Sequence, residues 1–303
     1  MLAIIAPGQG SQTPGMFNSW IQDPSLKDLL QQWSDAIGLD LIRLGTIADA
    51  DEIKDTAHAQ PLIVAASLLG AHALGINKNC KVTSGHSVGE IAAAAISGAL
   101  SENDALRIVR TRGLEMAKAA AASPAGMSAV LGGDRTEVLA ALGALNLVAA
   151  NDNGAGQIVA AGDLQALAAL SENPPAGARV RALAVAGAFH TDFMQPAVAP
   201  LRDLAATIET HAVVIQVISN KDGQVITDGA DVLTRIVTQI ANPVRWDLCM
   251  ETLKSLGVTG VIELPPAGTL VGLLKRAASE IETFAIKSAD DVVAAREFAG
   301  RHA

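Results

Sequence analysis

Residues 85–90 of the chain read Gly-His-Ser-Val-Gly-Glu, a G-x-S-x-G pattern. The short run 81–84 before it is compatible with a strand, and the alanine-rich run 91–96 after it favours a helix. A serine between a strand and a helix in this way is typical of a nucleophile on a sharp turn. Ser87 is then expected at a helix N-terminus, where free N–H groups favour a developing oxyanion. An incidental serine in a glycine-rich turn is the alternative for these six residues alone.

The composition sets limits on the core and on the partners. Half of the 303 residues are hydrophobic, but the chain has no Tyr, five Phe and three Trp. The core is therefore built from Ala, Val, Leu and Ile, which suits close packing of helices on a sheet. The net charge of −9 and the scarcity of aromatic residues argue against nucleic-acid binding. An acidic protein partner would need a local basic patch.

The cysteines and the apolar runs predict a reduced, cytoplasmic protein without a metal. Cys80 and Cys249 form no C-x-x-C pair, and histidines at metal-ligand spacing are absent. The first six residues have no basic region and are too short for a signal peptide. No uncharged apolar run is expected to reach membrane-spanning length, so no membrane interaction is predicted.

The order of predicted elements indicates one α/β domain interrupted by an insert. Residues 1–123 and 188–303 are expected to form a larger α/β-hydrolase-like domain around a central, mainly parallel sheet. Residues 124–187 alternate differently, in the order β-α-β-β-α-β of a ferredoxin-like subdomain. The strands of this insert are predicted at 127–131, 147–150, 157–161 and 179–185, and its helices at 135–142 and 163–171.

Local sequence signals predict several boundaries. Residues 2–6 form a short apolar run that indicates a buried strand. Gln60-Pro61 fits a helix start, because proline is tolerated in the first turn. Ser101 is predicted to cap the helix that carries Arg107, Arg110 and Arg112. Residues 151–154, Asn-Asp-Asn-Gly, are predicted to form a turn.

A nucleophilic serine needs a base and donors for the oxyanion. His86 adjoins Ser87 and is expected to point away from it, while the remaining histidines fall in helices, their flanks or the tail. His190, in a loop after the insert, is the best base by elimination. The loop 8–12, Gly-Gln-Gly-Ser-Gln, departs from a dinucleotide motif at Thr13 and can instead supply backbone donors.

Five motifs occur in one order along the chain: the loop 8–12, the turn 85–90, Arg112-Gly113, residues 187–190 (Gly-Ala-Phe-His) and residues 242–246 (Asn-Pro-Val-Arg-Trp). Together they resemble the malonyl-CoA:acyl carrier protein transacylase family. The resemblance extends over roughly residues 1–277. It implies a ping-pong transfer of malonyl from malonyl-CoA to the phosphopantetheine thiol of acyl carrier protein, for fatty-acid synthesis. It also implies that the protein itself needs no bound cofactor.

The resemblance assigns roles to residues of this chain. It makes Ser87 the nucleophile and His190 the base, with the backbone N–H groups of Gln9 and Val88 as oxyanion donors. Arg112 is expected to bind the malonyl carboxylate.

The remaining assignments concern the surroundings of that site. Gln239 offers a backbone carbonyl that orients the histidine in place of a triad carboxylate. Asn151 and Asn153 are expected to line the site. Phe189 is expected to favour malonyl over methylmalonyl.

The remaining expectations concern partners and rival functions. Arg179 and Arg181 lie two apart on the last predicted strand of the insert and form a candidate docking patch for the carrier protein, with a solvated strand face as the alternative. The protein is expected to be a monomer.

An esterase needs an acidic residue between serine and histidine at a strand end, and none is apparent. A non-catalytic carrier-binding subunit is disfavoured because the site residues occur together. A transacylase of polyketide synthesis or malonate decarboxylation is the nearest alternative.

Overall fold

The computed structural model describes residues 1–75 and 80–303. Its strands, numbered along the chain, are β1 (Leu2–Ala6), β2 (Cys80–Gly85), β3 (Ala125–Gly132), β4 (Val148–Asp152), β5 (Gln157–Asp163), β6 (Ala178–Ala182), β7 (Gln216–Ile218), β8 (Val225–Ile226), β9 (Val244–Arg245), β10 (Gly260–Glu263) and β11 (Glu282–Ala285). Its α-helices are α1 (Pro24–Ile37), α2 (Leu41–Thr46), α3 (Ala50–Lys54), α4 (Thr56–Leu74), α5 (Gly89–Ile96), α6 (Glu102–Ala121), α7 (Arg135–Ala144), α8 (Leu164–Glu172), α9 (Gln195–Ala205), α10 (Gly229–Gln239), α11 (Trp246–Ser255), α12 (Thr269–Ala277) and α13 (Val292–His302).

The larger sheet has the strand order β11-β10-β1-β2-β7-β8 and is parallel except for the β7–β8 pair. The central strand β1 is buried along its whole length, as the apolar run predicts. Successive residues of β1 point to opposite faces of the sheet. Ile4 belongs to the core cluster that contains residues of α4, α5 and α6. Ile5 belongs to the cluster that contains residues of α11 and α12. The predicted α/β class and mainly parallel sheet are confirmed.

The smaller sheet has the order β6-β3-β5-β4-β9. Its first four strands and the helices α7 and α8 follow one another as β-α-β-β-α-β, as predicted for the insert. The helices cover one face of this sheet, around Val130 and Leu142. The fifth strand, β9, lies outside the insert in sequence and pairs in parallel with β4. The sequence did not predict this added strand, which joins a segment from the C-terminal part of the chain to the smaller sheet.

Two boundary predictions have opposite outcomes. The Ser101 side chain accepts a hydrogen bond from the Asp104 N–H, so the predicted cap of α6 is confirmed. The predicted helix start at Gln60-Pro61 is wrong, because α4 begins at Thr56 and Pro61 lies inside it. A proline there leaves the carbonyl four residues earlier without its helical partner. The Arg110 side chain supplies one, donating to the Ala57 carbonyl at 3.0 Å.

Two other expectations are corrected. The predicted turn at 151–154 begins too early, because Asn151 and Asp152 still belong to β4. Within residues 1–75 and 80–303, one helix, α4, is long and apolar enough to cross a membrane, so the expectation that no run reaches that length is wrong by this measure. Of its most apolar window, 72% is buried inside the protein, as in the core helix of a large domain.

Candidate active site

The turn between β2 and α5 holds Ser87 in an unusual backbone conformation. Ser87 has φ 54°, in the left-handed region that L-residues seldom adopt. The flanking glycines are required by close contacts. A Cβ atom on Gly85 would collide with the backbone of Gly89, and one on Gly89 with the Ala6 carbonyl. The predicted strand, tight turn and helix are therefore all present, and the turn lies directly against the end of β1.

His190 lies within hydrogen-bond distance of the serine. Its Nε2 is 2.7 Å from Ser87 Oγ, although 103 positions separate the two residues. Its Nδ1 is 2.9 Å from the Gln239 carbonyl and 3.2 Å from that of Asn242. Two carbonyl acceptors fix the proton on Nδ1, which leaves Nε2 free to accept the serine proton. In the part of the chain that the structure describes, no carboxylate is hydrogen-bonded to His190.

The His190 ring is held in its neutral form. Its side chain is 3% exposed, and burial is the main cause that lowers its pKa to about 3. The charge of Arg112 lowers the pKa further, while the carbonyls of Gln239 and Asn242 oppose the shift. A neutral imidazole next to a serine hydroxyl is the state that a general base needs at neutral pH.

Arg112 is a buried cation directed at the serine. Its side chain is 2% exposed. Its Nη2 donates to Ser87 Oγ at 3.2 Å and its Nη1 to Gln60 Oε1 at 2.7 Å. Burial lowers the pKa of Arg112 to about 10, and nearby Glu90 opposes this shift, so the guanidinium stays charged at neutral pH. It forms no salt bridge with another described residue, and a buried charge in that situation favours an anionic ligand.

The two neighbouring arginines of α6 are used differently. Arg107 is 45% exposed and forms an ion pair with Asp104 at 2.9 Å. Arg110 caps the interrupted turn of α4 through the Ala57 carbonyl. Arg112 alone of the three donates a hydrogen bond to the Ser87 hydroxyl, and it lies on a different face of the helix from Arg107.

The oxyanion donors expected from the resemblance are the backbone N–H groups of Gln9, which lines a cavity together with Ser87, and of Val88, the next residue in the chain. Neither the Gln9 N–H nor the Val88 N–H donates a hydrogen bond to any residue in 1–75 or 80–303. The Gln9 side chain is held away from its own backbone, donating to Thr56 Oγ1 at 3.2 Å and accepting from Gln60 at 3.4 Å. The Gln9 loop is thereby fixed against α4, close to the serine.

A small cavity of about 80 Å³ lies beside Ser87 and His190. Its lining consists of Gln9, Gln60, His86, Ser87, Met116, Met127, Asn151, Val159, Leu183, Val185, Phe189 and His190. Asn151 presents a buried Oδ1 that has no partner among the described residues. Asn153 differs: its Oδ1 is 2.9 Å from His86 Nε2, and the residue is not part of the lining. Of the two predicted asparagines, the structure brings only Asn151 to the cavity.

Arg179 and Arg181 lie on the edge strand β6 and are exposed. Arg181 pairs with Ala129 and Arg179 with Leu131, so both share a sheet face with Met127, which lines the cavity. Neither arginine forms an ion pair with another described residue. They are outside the cavity itself, on the face of the smaller sheet that contributes Met127 to its lining.

The chain matches the family model described as acyl transferase domain over residues 4–297. The chain belongs to this family. It is 53% identical over 298 residues to the malonyl CoA-acyl carrier protein transacylase of Mycobacterium tuberculosis (strain ATCC 25618 / H37Rv), which covers 96% of this chain and 98% of the relative. The crystal structure of MCAT from the same species superposes with a TM-score of 0.93 and covers 96% of this chain and 98% of that one.

A second solved structure shows a malonyl-transacylase in complex with its type II PKS acyl-carrier protein. It superposes on this acyl transferase with a TM-score of 0.92 at 29% identity, covering 98% of this chain and 99% of that one. The similarity therefore extends through both sheets and does not stop at the serine turn.

Sequence reasoning missed two residues of the acyl transferase site. Gln60 orients Arg112 through its Oε1, and Asn220 accepts a hydrogen bond from the Ser87 N–H at 2.7 Å. Neither belongs to a recognisable motif. The sequence around Gln60 indicates only a helix boundary, and Asn220 follows a short strand more than 130 positions after the serine.

Proposed function

We propose that this acyl transferase moves the malonyl group from malonyl-CoA to the phosphopantetheine thiol of acyl carrier protein, supplying fatty-acid synthesis. The observation that carries the choice of acyl group is the buried guanidinium of Arg112, which forms no ion pair with a described residue and donates to the Ser87 hydroxyl at 3.2 Å. A planar guanidinium binds a carboxylate through two parallel hydrogen bonds. An acyl group attached to Ser87 that ends in a carboxylate fits such a site.

In the first half-reaction, His190 Nε2 takes the proton of Ser87 Oγ as the oxygen attacks the thioester carbonyl. The new C–O bond places negative charge on the carbonyl oxygen, and the N–H groups of Gln9 and Val88 donate to it. The C–S bond then breaks and His190 returns the proton to the departing CoA thiolate. The products are malonyl-Ser87 and CoA.

In the second half-reaction the same steps run with the carrier protein. His190 takes the proton of the phosphopantetheine thiol, and the sulfur attacks the carbonyl of malonyl-Ser87. The C–O bond to Ser87 then breaks, His190 returns the proton to Ser87 Oγ, and the malonyl group is left on the phosphopantetheine sulfur. The low pKa of His190 makes its protonated form a strong acid, which favours rapid donation to the leaving group. The carbonyl of Gln239 keeps the ring in one orientation throughout. Both acyl carriers are substrates, so the reaction needs no bound cofactor.

We also propose that residues 124–187 form an inserted subdomain and that the protein acts as a cytoplasmic monomer, without membrane or nucleic acid. Both Cys80 and Cys249 are buried free thiols, in keeping with a reducing compartment. Light scattering coupled to size-exclusion chromatography tests the monomer.

Carrier-protein docking is assigned to Arg179 and Arg181. Their exposure and their place on the cavity-facing side of β6 support this assignment, since an acidic carrier would approach that side. Charge reversal at both positions should slow transfer to the carrier protein and reduce its salt dependence, while acylation by malonyl-CoA is unaffected. Arg276, a basic residue in the last turn of α12, is a matched control for surface charge reversal. Unchanged carrier kinetics would remove the patch from the proposal.

The central test is mass spectrometry of the intact protein after brief exposure to malonyl-CoA, followed by peptide mapping. We expect one malonyl group on Ser87 and its loss on addition of carrier protein bearing phosphopantetheine. Ser87→Ala should abolish the adduct and lower the rate at least ~10³-fold. A malonyl adduct that persists in Ser87→Ala would assign the nucleophile to another residue.

A further inference from the structure

The side chain of Asn220 connects the two sides of the turn that carries Ser87. Asn220 follows β7 and is fully buried. Its Oδ1 accepts from the Ser87 N–H at 2.7 Å, and its Nδ2 donates to the Gly85 carbonyl at 2.7 Å. One side-chain amide therefore makes hydrogen bonds to both Gly85, the last residue of β2, and the serine itself.

The turn needs such a restraint. A non-glycine residue at positive φ costs about 1–3 kcal/mol and persists only when its surroundings hold it there. Gly85 and Gly89 permit the conformation of Ser87, but glycine is compatible with many others. The Asn220 amide selects one of them, because its acceptor and its donor meet the two backbone groups in a single arrangement.

Asn220 is itself held from both ends of its backbone. Its N–H donates to Glu90 Oε1 at 2.8 Å, and its carbonyl accepts from the Arg245 N–H at 2.8 Å. Arg245 comes three positions after Asn242, whose carbonyl is 3.2 Å from His190 Nδ1. The same framework thus contacts the serine turn and the segment that orients the base.

We propose that Asn220 is a positioning residue that sets the direction of Ser87 Oγ toward His190 Nε2 and so raises the reactivity of the serine toward every acyl donor. This inference rests on the proposed role of Ser87 as nucleophile. Under this proposal, the reactivity of Ser87 and its selectivity among acyl groups depend on different residues. Arg112 acts on the carboxylate of one class of acyl group, whereas Asn220 has no contact that depends on the acyl group.

The first experiment compares two reagents that modify Ser87. Malonyl-CoA carries a carboxylate, and phenylmethylsulfonyl fluoride does not. We expect Asn220→Ala to slow both single-turnover modifications by a similar factor, about 10- to 100-fold for two lost hydrogen bonds, with little change in KM for malonyl-CoA. Arg112→Ala should slow the malonyl reaction at least as strongly but leave the reaction with the sulfonyl fluoride within about fivefold.

A matched control removes another buried hydrogen bond. Ser67 is fully buried and donates to the Pro265 carbonyl at 2.9 Å, outside the catalytic cavity. Ser67→Ala is expected to lose thermal stability and to react with both reagents at the rate of the wild-type protein. If Asn220→Ala folds and also reacts at that rate with the sulfonyl fluoride, the inference is overturned.

Asn220→Asp gives a second test, by pH. An ionised aspartate still accepts from the Ser87 N–H but places an oxygen without a proton against the Gly85 carbonyl. The protonated form can donate there. The ratio of variant to unmodified rates should therefore rise about tenfold as the pH falls from 8 to 5.5, a range in which His190 stays neutral.

Other titratable groups face this position and are present in both proteins. Glu90 on α5 and Cys249 on α11 contact Asn220 directly, and Arg112, Arg235 and Asp222 act on Glu90 from further away. Taking the ratio cancels the titration of the more distant groups, and measuring both proteins in a Glu90→Gln background removes that of Glu90.

The outcomes separate the two proposals. If the unmodified protein is not acylated on Ser87, the proposed function fails. If it is acylated and Asn220→Ala does not fold, the pH ratio of Asn220→Asp decides. A ratio that rises in acid supports the positioning role, and a flat ratio overturns it.

Discussion

Replacing Arg112 with alanine should change the acyl preference more than the activity of the serine. Arg112 is 2% exposed and makes no ion pair with a described residue, so a malonyl carboxylate would be its main electrostatic partner. Loss of one partner from a buried, hydrogen-bonded charge pair costs roughly 2–5 kcal/mol. At about 1.4 kcal/mol per tenfold, kcat/KM for malonyl-CoA should fall on the order of 30- to several-thousand-fold.

Acetyl-CoA has no carboxylate to lose. The variant also loses the 3.2 Å contact from Arg112 Nη2 to Ser87 Oγ, which limits any decrease for acetyl to about fivefold, the value of one ordinary hydrogen bond. In the opposite direction, the positive charge that lowers the pKa of His190 is gone, so the base becomes stronger. The malonyl-to-acetyl ratio should therefore collapse.

The assay is the rate of Ser87 acylation by each thioester, followed by mass spectrometry in a quenched-flow experiment. Arg107→Ala is the matched control, because Arg107 lies on the same helix and its ion pair with Asp104 is exposed. Thermal melting of both variants monitors folding. If Arg112→Ala keeps its malonyl preference, the carboxylate is bound elsewhere and the role given to Arg112 is wrong.

Three further predictions follow from the site. His190→Ala should slow acylation at least ~10³-fold, and no single Asp or Glu replacement should match it; one that costs ~10⁴-fold would reveal a triad carboxylate. Phe189 lines the cavity, so kcat/KM should favour malonyl-CoA over methylmalonyl-CoA by about 1–3 kcal/mol and Phe189→Leu should narrow the difference; equal values in the unmodified protein contradict this. Burial raises the pKa of Glu90 from 4.5 to about 8, so the folded protein holds a proton there that the unfolded chain releases, and stability declines as pH rises between those values. The Tm of Glu90→Gln minus that of the unmodified protein should therefore increase from pH 5 to pH 8, and a constant difference would contradict the raised pKa.

The sequence predicted those elements whose causes are local. The apolar run of β1 and the cap at Ser101 are short-range patterns, and the structure has both. The start of α4 could not be found in this way. A proline inside a helix is acceptable only because Arg110, some fifty residues later, satisfies the Ala57 carbonyl. The strand β9 is two residues long and exists because β4 is beside it.

The residues of the candidate site also fall into two groups, those with a signal in the sequence and those without one. Ser87 lies in a motif, and His190 could be selected by elimination among six histidines. The residues around them have no sequence pattern, because their role is a contact across the fold. Gln60 and Asn220 each meet a partner more than fifty positions away through a single side-chain oxygen. Asn153 shows the opposite case, since the family resemblance places it at the cavity whereas its side chain contacts His86.

The acceptors that hold His190 are main-chain carbonyls, and this has a consequence for how the gene can change. A triad aspartate can be erased by one missense mutation, whereas every amino acid encoded at position 239 or 242 brings a carbonyl with it. Mutations there act through the path of the loop, which the Gln239 side chain supports by donating to the Asn242 and Pro243 carbonyls. Amino-acid substitutions at these positions can thus shift the His190 ring gradually, but none removes the backbone carbonyl that accepts its hydrogen bond.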